Sequence, residues 1–155
     1  MSSIDALIQE TNKAVAEFRQ LSTDDKLGLL WVVYENMGNS ITPAAPGAAS
    51  PQFTQNLLDQ VREMQQEQQL GFMRDLIEKT RTDYTQQYTA YTNDNKLLFW
   101  YELAVLMTKG DVIPVPEDYS LSNPAAKVFN TISTMDFNSQ LTVLRDAVIE
   151  MGPAA

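Results

Sequence analysis

Trp31 and Tyr34 lie three positions apart in LGLLWVVYENMG, and Trp100 and Tyr101 adjoin in NKLLFWYELAVLM. Rings placed this way on two helices can face each other and grip a large, flat, conjugated molecule by stacking. The same rings, at helical spacing among leucines, also serve as ordinary core, and these residues alone leave both readings open. Met37, Met64, Met73, Met107, Met135 and Met151 add polarizable, adaptable apolar surface, which suits either.

What the chain lacks narrows the chemistry further. It has no cysteine and no histidine. That removes thiolate nucleophiles, most structural zinc sites, the commonest metal ligand and the usual general base near neutral pH. The acidic pairs Asp24/Asp25 and Glu117/Asp118 fall at a helix start and in a loop, where carboxylates favour the helix dipole or stay in water. No catalytic residue and no metal ligand is expected, so the chain does not read as an enzyme.

The 155 residues suit a single domain spanning the whole chain, with 44% hydrophobic and 20% charged residues. Eleven basic against twenty acidic residues give a net charge of −9, which repels nucleic acid and anionic membranes. No apolar run approaches the ~18 residues of a membrane span, and MSSIDALIQE lacks the basic start and apolar run of a secretory leader. A cytoplasmic, soluble protein is expected.

The elements that must position the aromatics all read as helix. Ile4, Leu7, Ile8, Thr11, Val15 and Phe18 fall on one stripe. Ser22 caps a second helix through Leu27, Leu30, Trp31 and Tyr34, which stops near Gly38. After the small-residue loop ITPAAPGAAS, Ser50-Pro51 opens a helix with Phe53, Leu57, Val61 and Met64 on its apolar face. QQEQQ precedes a segment carrying Leu70, Met73, Leu76 and Ile77; Tyr84, Tyr88 and Tyr91 then cluster on a short helix, with Tyr84 and Tyr88 reading as a partly exposed aromatic face. Asn93 or Asp94 caps the helix from Lys96 to Met107, which ends at Gly110. VIPVP is extended; Asn123-Pro124 opens the next helix, and Asp136 caps the last, with Leu141, Leu144, Val148 and Met151 on one face. The count is about seven or eight helices and no alternating strand.

LWVVYENMG, ITPAAPGAAS, KLLFWYEL and LTVLRDAVIEMG, in this order and covering the chain from about Phe18 to Gly152, resemble the N-terminal domain of cyanobacterial orange carotenoid proteins and the stand-alone helical carotenoid proteins. The resemblance implies two interleaved four-helix bundles around a central ligand tunnel holding one ketocarotenoid: canthaxanthin, echinenone or 3'-hydroxyechinenone. It implies that Trp31, Tyr34 and Trp100 pack on a terminal ring and the adjoining polyene. Leu27, Leu30, Met73, Leu76, Leu97, Tyr101, Met107, Val115, Leu141, Thr142, Val148 and Met151 would line the remainder.

The function this implies is photoprotection, with the bound carotenoid quenching singlet oxygen. The alternatives are constitutive quenching of phycobilisome excitation and carriage of carotenoid to a C-terminal-domain homologue. Full-length relatives continue into a C-terminal light-switch domain; this chain ends at Ala155, so the switch is expected to be missing and a monomer is expected. Arg145 matches a phycobilisome-docking arginine, through which thylakoid association would arise. Asp94 and Asp146 add carboxylates to that face, weakening its attraction for an acidic antenna. Arg74 stands beside Met73 where the relatives have a small residue.

Overall fold

The computed structural model describes residues 3–37, 51–114 and 120–154. Among them are eight α-helices and no strand: α1 Ser3–Arg19, α2 Thr23–Met37, α3 Pro51–Glu63, α4 Gln66–Glu78, α5 Asp83–Thr89, α6 Asn93–Lys109, α7 Asn123–Ser133 and α8 Phe137–Ile149. The expected Gly38 stop, the ITPAAPGAAS loop, the Ser50 cap and Val115 lie outside the described residues.

Local hydrogen bonds set the helix starts. Ser22 Oγ accepts from the Asp25 N–H at 3.2 Å, as its position suggested. Asp136 accepts from the Ser139 N–H at 2.7 Å, and this bond holds its carboxyl below the usual carboxylate range. The α6 cap falls earlier than the sequence suggested, while α7 opens at Asn123 as expected. Thr92, not Asn93 or Asp94, caps α6, and Ser122 caps α7, each accepting from the N–H three residues on. A hydroxyl at these positions meets the third N–H of the helix, so Asn123 and Pro124 occupy its first turn. Gly110 ends α6 at φ 83°, as a left-handed cap requires.

Of the first stripe, Thr11, Val15 and Phe18 are buried and Ile8 is 52% exposed, while the side chains of Ile4 and Leu7 lie outside those described. Ala6 and residues 8–10 are all exposed.

Helix contacts divide the fold into two sets. One comprises α1, α2, α7 and α8, from the two ends of the chain; the other comprises α3, α4, α5 and α6, from its middle. They meet along a seam where α2 packs on α4 and α6, and α6 packs on α8. Buried apolar side chains from all eight helices join in one core. This is the interleaved pair of four-helix bundles expected from the sequence.

Three kinds of bond stitch the seam. Arg74 Nε and Nη2 donate to the two oxygens of Asp24 at 2.9 and 3.2 Å, tying α4 to α2. Arg145 pairs with Asp94 at 3.5 Å, tying α8 to α6. The segment after α8 crosses back: the Gly152 N–H donates to the Leu76 carbonyl at 2.7 Å, and Thr89 Oγ1 donates to the Pro153 carbonyl at 3.0 Å.

Gly152 is therefore irreplaceable in a way Gly71 is not. Its φ is 87°, and an added Cβ would lie 2.7 Å from Thr89 Oγ1, whereas at Gly71 nothing lies within 4 Å. Gly152→Ala should cost at least ~1 kcal/mol for the left-handed backbone alone, lowering the thermal midpoint by at least about 2–4 °C. Gly71→Ala, inside α4, should be neutral or stabilising; paired thermal melts check both.

Candidate ligand cleft

Tyr34 follows Trp31 by three residues on α2, and Ala104, Val105 and Thr108 follow Tyr101 at helical intervals on α6. Where these two faces diverge they enclose a cleft of about 640 Å³, completed by Met107, Pro114, Glu35 and Lys109. Its volume is that of a small-molecule site. The Tyr34 and Tyr101 rings stand 6.4 Å apart at 55°. Tyr34 is buried and its hydroxyl donates to the Leu97 carbonyl at 3.1 Å, which fixes the ring in the wall. Burial drives its phenol far above the usual tyrosine range, so it stays neutral. Trp31 and Tyr101 are half-buried, each with part of its ring available. The walls are apolar and aromatic, and Glu35, Thr108 and Lys109 lie at the exposed rim. The shape and apolar walls of such a site can accept a flat apolar ligand, with the ionisable Glu35 and Lys109 held to the rim.

Of the residues expected to line a ligand, Trp31, Tyr34, Tyr101 and Met107 are at this cleft. Leu30, Met73, Leu76, Trp100, Val148 and Met151 are buried behind it, and Leu27, Leu97 and Leu141 are half-buried against the same core. All nine belong to, or pack against, one apolar core. Thr142 is exposed, its hydroxyl donating to the Asn138 carbonyl at 2.9 Å on the outer face of α8. Val115 is outside the described residues, although Pro114 beside it reaches the cleft. Arg145 stands on the surface with Asp94.

Trp100 is not in the cleft wall; it is 3% exposed, and its indole N–H donates to Tyr88 Oη at 3.2 Å. Tyr88 in turn donates to the Val148 carbonyl at 2.5 Å. The tyrosine run was expected to be a partly exposed face. Tyr84 fits that, at 40% exposed, but Tyr88 is fully buried. It packs edge-on against Phe99 with ring centroids 5.6 Å apart, and burial drives its phenol well above the ordinary value. The reason is hydrogen bonding: a buried indole N–H needs an acceptor, and this phenol supplies it.

Sequence reasoning also passed over Gln69, read as part of a polar run. It is 2% exposed. Its amide nitrogen donates to the Val61 and Asp111 carbonyls at 3.0 and 3.1 Å, and its oxygen accepts from the Ile113 N–H at 2.7 Å. These bonds pin the segment that delivers Pro114 to the cleft. Within α4, Gln69 precedes Phe72, Met73 and Leu76 by three, four and seven residues, and that spacing was a legible signal of burial.

Among the described residues the fold is all helical, with two bundles meeting at an apolar core beside an aromatic cleft, which defines a class of helical proteins with a cleft of small-molecule size. The chain belongs to the family described as "Orange carotenoid protein, N-terminal", which matches residues 5–154. It is 46% identical over 147 residues to an orange carotenoid-binding domain-containing protein of Nostoc sp. (strain PCC 7120), covering 92% of this chain and 86% of that one. It is 45% identical over 138 residues to the orange carotenoid-binding protein of Limnospira maxima, covering 89% of this chain but 44% of that protein. The fold matches the Red Carotenoid Protein of Anabaena (Nostoc) sp. PCC 7120 binding canthaxanthin, with a TM-score of 0.83 and 34% identity, over 93% of this chain and 99% of that one.

Tyr88→Phe leaves the Trp100 N–H buried without an acceptor and should destabilise the fold by about 1–3 kcal/mol. Adding Trp100→Phe removes that orphan donor, so the double variant should lose less than the two single losses added together. A double-mutant cycle by chemical denaturation measures the coupling.

Proposed function

We propose that this chain binds one ketocarotenoid and protects the cell by quenching singlet oxygen. The observation that carries this reading is the Trp31–Tyr34–Tyr101 cleft, whose rings belong to or pack against the same apolar core as Leu30, Met73, Leu76 and Met151. The bound polyene would supply the photophysics, taking up excitation energy and releasing it as heat. The protein's residues bind and orient. Trp31 and Tyr101 offer ring faces, Tyr34 is locked by its bond to the Leu97 carbonyl, and the leucines and methionines exclude water. Apolar contact at roughly 25 cal/mol per Å² suffices for affinity without directional chemistry, which fits a chain lacking histidine and cysteine. Canthaxanthin, echinenone and 3'-hydroxyechinenone all have this shape.

Constitutive phycobilisome quenching is disfavoured by one geometric fact. Arg145 is paired with Asp94 at 3.5 Å, so a partner's carboxylate has to compete for it. Asp94→Asn should free Arg145 and strengthen any quenching of phycobilisome fluorescence; wild-type quenching as strong as the variant's would remove this argument. Handing pigment to a C-terminal-domain homologue is compatible with the same cleft.

The decisive experiment is the visible absorption spectrum of the protein purified from a host making ketocarotenoids. A broad polyene band comigrating with the protein, and faster decay of singlet-oxygen luminescence than with the pigment-free protein, are expected. A colourless folded protein overturns the reading. Among variants, Trp31→Ala should lower pigment occupancy with little change in thermal midpoint. Trp100→Ala should lower the midpoint itself, because it empties a buried site.

A further inference from the structure

Gly71 stands in the interior of α4 with no packing reason to be glycine. Its φ is not positive, and an added Cβ would meet nothing within 4 Å. Glycine there costs the helix about 1 kcal/mol relative to alanine. Gly71 lines a pocket of about 340 Å³ that shares no residue with the aromatic cleft. One face of α4 builds this pocket, with Gln68, Gly71, Phe72 and Asp75 at helical spacing. Thr82 and Tyr84, at the start of α5, stand opposite, and Met64 closes one side. Phe72 is buried, edge-on to Phe99 and to Tyr84 with ring centroids 6.1 and 6.4 Å away. Tyr84 is 40% exposed, so much of its ring is open to a ligand.

Asp75 supplies the charge. Among the described residues its carboxylate has neither a hydrogen bond nor an ion pair. The neighbouring arginines are engaged elsewhere: Arg74 on Asp24 at 2.9 and 3.2 Å, and Arg81 on the Ala154 carbonyl at 2.7 Å. Lys79 caps α4 on the exposed surface and forms no ion pair with Asp75. Burial, and then the charge of Glu78, hold the Asp75 carboxyl above its ordinary range. Asp75 is also in the last turn of α4, where the carbonyl end of the helix adds negative potential. A cation beside it would compensate all three.

A lone carboxylate, an open ring face and an apolar floor match one kind of group. A guanidinium is planar, so it lies flat on an aromatic face, and its N–H groups pair with both oxygens of a carboxylate. An apolar stem attached to it would pack on Met64 and Phe72. The net charge of −9 attracts such a cation.

We infer that this pocket binds a small organic cation of the alkylguanidinium class, with Asp75 accepting from its N–H groups, Tyr84 lying against its plane and Gly71 leaving room for it. The site is independent of the carotenoid-binding reading. Glycine at position 71 then has a reason, since a side chain there would occupy the ligand's space.

The test titrates butylguanidinium into the isotope-labelled protein at constant ionic strength, following the amide resonances of Gly71, Asp75, Thr82 and Tyr84 by NMR. Neutral butylurea, of nearly the same shape, is the control. Expected are saturable shifts with butylguanidinium and none with butylurea. Asp75→Asn should weaken binding about tenfold, the scale of one charge-assisted hydrogen bond. Gly71→Leu should abolish binding without lowering the thermal midpoint. No saturable shift with butylguanidinium, or equal shifts with both probes, overturns the inference. So does unchanged affinity in either variant, and the near-isosteric Asp75→Asn keeps the test valid if Gly71→Leu does not fold.

Discussion

The Tyr88 hydroxyl is the interaction on which the interior geometry depends. It accepts from the Trp100 indole on α6 and donates to the Val148 carbonyl near the end of α8. One phenol on a seven-residue helix thereby joins both bundles at the α6–α8 contact. Lys96 reinforces the junction, its ammonium 5.6 Å from the Tyr88 ring centroid and donating to the Ile149 carbonyl at 3.3 Å. Without these bonds a buried indole N–H would carry a desolvation cost comparable to a whole hydrogen bond. With them α6 is held in one rotational setting, and that setting aims Tyr101, Ala104 and Met107 at α2.

The interleaving of the chain makes this junction necessary. The first bundle is built from helices far apart in sequence, and the middle bundle is inserted between them. The seam is therefore made of long-range contacts, which local helix propensity cannot specify. Polar bonds supply the register that apolar packing leaves loose: Arg74 on Asp24 at one place, Gly152 on Leu76 at another, and Tyr88 at the α6–α8 contact. The substitution at Arg74, without an evident role in the sequence, is in the fold a bidentate strap across α4 and α2.

Helix number, order and approximate ends were legible because 3.6-residue periodicity and cap chemistry are local. The shift of the α6 cap arose where a hydroxyl and its polar neighbours competed for one position and the hydroxyl won. Trp31, Tyr34, Tyr101 and Met107 were legible as a set, on their own spacing together with the family resemblance. Trp100 was not separable from them, since its neighbour Tyr101 points to the cleft while it points about 100° away around the same helix. What diverted it was a partner twelve residues earlier, Tyr88, and no pattern within one helix shows which phenol an indole will meet. Gln69's burial was legible in its spacing, but its bonds were not, because its three partners come from the end of α3 and from the segment after α6.

The interior divides by stiffness. The aromatics at the junction are fixed by hydrogen bonds and edge-on packing. The band along the seam is instead leucine and methionine, with Met73, Met107 and Met151 unbranched and free of polar partners. The band's side chains can change rotamer at modest cost, while in the cleft wall Tyr34 is held by its bond to the Leu97 carbonyl. Were the band as rigid as the junction, a closed core at native packing density would admit nothing. Were the junction as soft as the band, the cleft would have no fixed shape to recognise a flat molecule. One sequence thus puts hydrogen-bonding aromatics at the α6–α8 contact and methionines elsewhere in the same core.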